Sequence, residues 1–189
     1  LANRKINQNR NRFSGSSRVR WRLKDWLSSE GSFGYDQEGQ AYTDLTPFGY
    51  LTSSGTKTQG RLFKNAQNNA QYNAGLSVTS IRTYGDITNT TKVGTVIEEQ
   101  KNSLRATSSA TRQVANVPEF GAADQSSLAA DSSDEVIRNQ NYFAVTTFDI
   151  KDRYIVDALV RRDASSLFGP ESREATYYRV SGAYRGTED

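Results

Sequence analysis

The sequence predicts an all-β chain, a seven-stranded antiparallel meander forming an open segment of a large transmembrane β-barrel with long outer loops and short periplasmic turns. Three observations lead there. Strand-like stretches alternate apolar and polar residues from end to end. Their connections are alternately long and short. Within each stretch, the charges gather on one of the two faces.

The elements follow in order. A first strand over about 12–23 ends in a tight turn at Lys24-Asp25, and a second covers about 27–36. A polar outer loop of about 37–67, carrying Gly39, Gly49, Gly55 and Gly60, leads to a third strand at about 69–83. The turn Tyr84-Gly85-Asp86 returns the chain as a fourth strand, about 87–104. A second outer loop, about 105–137, is rich in Ser, Ala and Asp and precedes a fifth strand at about 138–150. Lys151-Asp152 turns it into a sixth at about 154–165, and a brief loop at 168–172 leads to a seventh at about 174–185. Gly-Asp and Lys-Asp pairs between alternating segments are hairpin signals. Short turns on one side and long loops on the other are the asymmetry of outer-membrane barrels.

Side chains alternate across a strand, so each stretch divides into two faces. One face carries Phe13, Val19 and Trp21, then Leu27, Phe33 and Tyr35, then Leu76 and Val78, Val93 and Ile97. It continues with Tyr142, Ala144, Thr146, Phe148 and Ile150, then Tyr154, Val156, Ala158 and Val160, then Tyr178, Val180 and Tyr184. The other face carries the charges, among them Arg18, Arg20, Arg22, Glu30, Lys92, Asp157, Arg161, Asp163 and Arg179. An Arg or Lys facing mid-bilayer costs about 2–4 kcal/mol, so lipid exposure enforces this segregation. A soluble sheet with one wet face alternates too. The apolar face here is light, with Ser, Thr and Gly that pack a globular core poorly.

Aromatics gather toward the strand ends. Trp21, Trp26, Tyr84, Phe148, Tyr154 and Tyr184 fall near the short turns, and Tyr35, Tyr142 and Tyr178 toward the other end, the pattern of a double membrane-interface girdle. Composition agrees. Only 35% of residues are hydrophobic and mean hydropathy is −0.74, yet there are 10 Tyr and 8 Phe. No apolar run reaches the roughly 18 residues of a helical span.

The composition also narrows the chemistry. Without Cys there are no disulfides or thiolate ligands, and without His the usual general base and commonest metal ligand are missing. No catalytic constellation stands out, so the chain is read as no enzyme, with no cofactor and no metal. A net charge of +3 does not point to nucleic acid. The acidic stretch Asp131-Ser-Ser-Asp134-Glu135 lacks the full spacing of a Ca²⁺ loop. Leu1 stands without an initiator Met, and nothing there resembles a signal peptide, which gives the expectation of an internal piece of a longer protein.

Two residue sets are candidates for function. Arg18, Arg20, Arg22, Arg161, Asp163 and Arg179 are expected as structural charges on the lumen side, with Arg162 grouped beside Arg161 and Asp163. Tyr42, Phe48, Tyr50, Phe63 and Phe120 fall in the outer loops, where exposed aromatics suit sugar-ring stacking or a partner interface, or pack among themselves.

Three stretches carry a family likeness: Asn141-Tyr-Phe-Ala-Val-Thr-Thr-Phe-Asp149, Lys151-Asp-Arg-Tyr154, and Arg161-Arg-Asp-Ala-Ser-Ser-Leu-Phe-Gly169. Together with Ala175–Tyr184, Asp25-Trp26-Leu27 and Gly34-Tyr35-Asp36, they resemble SusC/RagA-type TonB-dependent receptors. Ala164 stands where that family usually has Gly, Leu167 where a basic residue is frequent, and Glu174 and Tyr184 where Trp is frequent. The resemblance implies part of the wall of a plugged outer-membrane importer, energised by the TonB complex and capped by a SusD-like surface lipoprotein. It implies oligosaccharides, peptides or similar nutrients as cargo. The rival expectation is a soluble β-sandwich that binds carbohydrate or acts as an adhesive module.

Overall fold

The computed structural model describes residues 3–111, 117–169 and 173–186. Seven strands form one sheet: β1 (Lys5–Lys24), β2 (Leu27–Thr46), β3 (Arg61–Tyr84), β4 (Ile87–Ser109), β5 (Leu128–Ile150), β6 (Tyr154–Ser165) and β7 (Glu174–Tyr184). They follow one another in chain order across the sheet, so β1 and β7 are its edges. Among the described residues there is no second sheet over either face, and the β-sandwich expectation is set aside. No helix among the described residues is long and apolar enough to cross a membrane.

The chain divides into two compact units: 1–13, 36–70 and 101–136 form the first, and 14–35, 71–100 and 137–189 the second. The second contains the three tight turns. At the β5–β6 corner Lys151 and Asp152 both have φ of 54°, and Arg153 N–H donates to Ile150 O at 3.1 Å. Positive φ at both central residues matches the right-handed twist of the flanking strands. Asp tolerates that conformation well and Lys less so. At the β3–β4 corner Gly85 takes φ of 58° without a side-chain penalty. The turns are tied sideways by backbone bonds, Ile81 N–H to Trp26 O and Lys151 N–H to Asp86 O, both 2.8 Å.

Registers in this unit keep like faces together. Phe148 stands opposite Val156, which stands opposite Gly182; Ile150, Tyr154 and Tyr184 form the next row. On the apolar face Trp21 is 66% exposed and Val180 is 74% exposed. The second unit has no buried hydrophobic side chain among its described residues. On the other face Phe143 lies over Gly94: a Cβ at Gly94 would meet its ring at 2.7 Å and the Leu76 carbonyl at 2.8 Å.

The first unit has a small core of its own, Leu45, Leu62 and Ala123, with Pro47 and Ser109 also fully covered or nearly so. Its connection after β2 closes through a Leu51–Lys57 bridge, and its connection after β4 contains two single 3₁₀ turns, Phe120–Ala122 and Gln125–Ser127. Asp124 caps the second, accepting from Ser126 N–H at 3.0 Å and Ser126 Oγ at 2.8 Å. These bonds hold the Asp124 carboxyl below the usual carboxylate range.

Here the expected loops need correcting. Strands run well into the stretches 37–67 and 105–137 from both ends: β2 runs on to Thr46, β3 begins at Arg61, β4 continues to Ser109 and β5 begins at Leu128. Of the described residues in these stretches, 47–60, 110–111 and 117–127 lie outside strands, and β1 already begins at Lys5. The physical reason is that these extensions lack an apolar face, so period-two hydrophobicity cannot reveal them. Cross-strand ion pairs line them instead: Arg10–Glu38 at 2.6 Å and Arg105–Asp134 at 2.6 Å. The segment expected as a brief loop at 168–172 is described only through Gly169.

Candidate functional site

The charged face of the second unit is built from residues that alternate with the apolar set. On β1 and β2, Arg20 donates to Glu30 (2.7 Å) while Arg18 stands 3.7 Å from the same carboxylate. Arg22 has no ion pair among the described residues. On β6, Arg161 Nε donates to Asp163 at 2.6 Å. Asp157 accepts from Arg179 at 3.4 Å and from Ser181 Oγ at 2.7 Å, and Arg185 lies 3.5 Å from Asp149. The arginines that form a basic stripe in the sequence are thus mostly matched by acids on the neighbouring strand.

At the end of this face away from the tight turns, the registers assemble a polar cavity of about 330 Å³. One row across β5, β6 and β7 is Asn141, Asp163 and Ala175; the adjacent row is Phe143, Arg161 and Tyr177. Glu98, Asn139, Ala164, Ser165, Phe168 and Arg173 complete the lining. Asn141, with its amide nitrogen turned toward acceptors, donates to Asp163 at 3.1 Å and to the Gln140 carbonyl at 3.2 Å. Arg173 Nε donates to the Phe168 carbonyl at 3.4 Å. The cavity offers two carboxylates, two guanidinium groups, two amides and two aromatic rings. That set can hold a polar ligand through hydrogen bonds and charge while a ring covers its apolar side.

Of the charges expected on the lumen side, Arg161 and Asp163 come together in this cavity; Arg18, Arg20, Arg22 and Arg179 do not line it. Glu98, Asn139, Asn141, Arg173 and Tyr177 were not singled out from the sequence. Alternation alone places them on the charged face, but only strand register brings them side by side.

One grouping is corrected. Arg162 is on the apolar face, opposite Tyr142 on β5 and Thr176 on β7, and forms an ion pair with Glu174. It keeps the parity of Val156 and Val160. Arg138 and Glu99 pair at 2.6 Å, and by alternation they too share the side of Tyr142 and Ile97. The apolar face therefore ends in a belt of paired charges.

The aromatics expected at a membrane interface fall toward the two ends of the apolar band so defined. Tyr154 and Tyr184 stand directly opposite one another, ring centroids 5.2 Å apart, at the tight-turn end. Phe148 lies one alternating step inside them. Tyr178, 86% exposed, faces Val160 one step before Arg162. Trp21 projects from β1, and Trp26 sits in the first turn with the Arg82 guanidinium 3.4 Å from its ring centroid. From Tyr154 to Arg162 the strand rises about 26 Å. A tilt of about 35–45° leaves roughly 20 Å across the sheet, close to the ~25 Å apolar band of outer-membrane barrels.

The aromatics expected on outer loops divide. Tyr42 and Phe63 are on β2 and β3, edge to face with centroids 6.0 Å apart, and Arg61 lies over Phe63. Phe120 lies under the Lys64 ammonium, 5.8 Å from its ring centre. Tyr50 is half-buried, and Phe48 is exposed beside the turn after β2.

No family model matches the chain, and no curated protein matches it. Solved structures do. The "RagAB peptide transporter" matches with TM-score 0.86 and 16% identity over 95% of this chain. The fold is that of a stretch of this transporter chain. A second RagAB structure, the peptide importer in a "closed-closed" state, gives TM-score 0.85, and the siderophore receptor PiuA from Acinetobacter baumannii gives 0.51 at 13% identity. The chain spans 20% of the length of the RagAB chain and 29% of PiuA. The likeness agrees with the resemblance to SusC/RagA-type receptors carried by residues 141–185.

Proposed function

We propose that this chain is part of the barrel wall of a TonB-dependent outer-membrane transporter that imports oligosaccharides, peptides or similar nutrients. One observation carries the reading: a single sheet whose uncovered apolar face is bounded by aromatic rows and then by the Arg162–Glu174 and Arg138–Glu99 pairs. An uncovered face of that extent is stable against lipid and not against water. The opposite, charged face looks into the barrel lumen. The whole protein works with a SusD-like surface lipoprotein and the TonB complex, and its role is transport, not catalysis. Among cargo classes, peptides are favoured by the mixture of Glu98, Asp163, Arg161 and Arg173 in the charged-face cavity, which matches both ends of a zwitterion.

Phase separation of the full-length protein in a nonionic detergent tests the membrane reading. It is expected in the detergent phase, and recovery in the aqueous phase would overturn it. Growth of a deletion strain on peptides or on oligosaccharides as sole nutrient tests the cargo. A defect confined to oligosaccharides would remove peptides.

A further inference from the structure

We propose that the first unit holds a binding site for a phosphate group carried on a sugar, built around Lys5 and Lys64. The two side chains line one cavity of about 320 Å³ together with Asn7, Thr43, Leu45 and Pro118. No carboxylate lines it.

The alternation of the strands explains that absence. Asp44, between Thr43 and Leu45, points to the opposite face and is taken by Arg4, whose Nε donates to it at 2.8 Å. Glu119 adjoins Pro118 but is not part of the lining. Lys64 has a cation–π contact with Phe120, and neither Lys64 nor Lys5 has an ion pair among the described residues. Four arginines of this unit, Arg4, Arg10, Arg12 and Arg105, each meet an acid on the neighbouring strand, and Arg61 lies over the Phe63 ring. Two lysines lining one cavity without a carboxylate leave it positively charged, and a dianion bound there is attracted by both. Asn7 and Thr43 add neutral hydrogen-bonding groups for ester or ring oxygens. Pro118 supplies an exposed apolar side for a sugar ring, while Leu45 beside it is almost fully covered. The volume is at the small end of ligand sites and fits one phosphorylated monosaccharide.

Such a group comes either from a lipid bearing phosphorylated glucosamine or from a soluble sugar phosphate. Both are read out on the full-length protein in nonionic detergent. Titration with glucosamine 6-phosphate at low salt is expected to saturate one site. Glucosamine without the phosphate should bind at least tenfold more weakly, a comparison that needs no variant. The K5Q/K64Q double variant should lose at least tenfold, with K57Q within twofold of the unmodified protein. Copurifying phosphorylated lipid that the double variant sheds would identify the lipid source. A lipid-free preparation that still binds glucosamine 6-phosphate would identify the soluble one. Failure to saturate, equal binding of glucosamine, or a folded double variant within twofold of the unmodified protein would each overturn the site.

Discussion

Arg162 stands directly opposite Tyr142 across the β5–β6 ladder, on the same face as Val156 and Val160. A guanidinium on this face marks where its run of apolar side chains ends, which on the proposed barrel-wall reading is the edge of the lipid-facing band. Its pairing with Glu174, and the Arg138–Glu99 pair beside it, turn the boundary into a belt rather than an isolated charge. Below it lie Tyr178 and Val160, then Val156 and Phe148, down to the Tyr154–Tyr184 row.

Val156, between Phe148 and Gly182, lies inside this band. Val156→Arg in the full-length protein is expected to cost about 2–4 kcal/mol in a refolding equilibrium in lipid. Arg162→Leu, at the belt, is expected to be neutral or mildly stabilising. Equal effects at the two positions would mean that the band is misplaced.

Gly94 is a packing requirement, because a Cβ there would meet both the Phe143 ring and the Leu76 backbone carbonyl under 3 Å. Gly94→Ala should destabilise by about 1–3 kcal/mol, as overpacking does. Gly31, with nothing within 4 Å of its built Cβ, provides the contrast, and Gly31→Ala should leave the unfolding midpoint in place.

The Arg138–Glu99 pair is asymmetric in burial. Glu99 is 8% exposed, whereas most of the Arg138 side chain is accessible. Removing the exposed partner takes from the covered carboxylate its 2.6 Å ion pair, and a covered charge loses more by this than an exposed one does. Arg138→Met should therefore lower the thermal midpoint more than Glu99→Gln does. The reverse order would show that the carboxylate has sufficient support from other groups.

Asp124 gives a pH dependence with a definite sign. Its carboxyl is held below the ordinary range by the Ser126 hydroxyl and then the Ser126 N–H, so the folded state favours the ionised form. The cap's contribution is full above the unfolded carboxyl pKa and is lost as pH falls through the lower, folded value. Amide exchange at Ser126 should stay slow through mildly acidic pH and accelerate only below it. Asp124→Ala should make it fast at every pH.

The sequence by itself determined the all-β meander, the three tight turns and the two faces between them. These are local properties: a period of two places Val156, Val160 and Val180 on one side, and Gly85 or Lys151-Asp152 closes a hairpin wherever it occurs. It also carried the family likeness through 141–185. The ends of the strands were not legible, because beyond the apolar band β2 to β5 are polar on both sides and are held by pairs such as Arg10–Glu38. Only the tertiary structure decided which residues meet across strands. Register placed Arg162 against Tyr142 and gathered Glu98, Asn141, Asp163 and Tyr177 around one cavity. The same sideways assembly set Lys5 and Lys64 facing a common space while turning Asp44 away from it. Alternation along a strand is written in neighbouring residues, but lateral proximity depends on hydrogen-bond ladders between segments far apart in the chain, and no local pattern contains it.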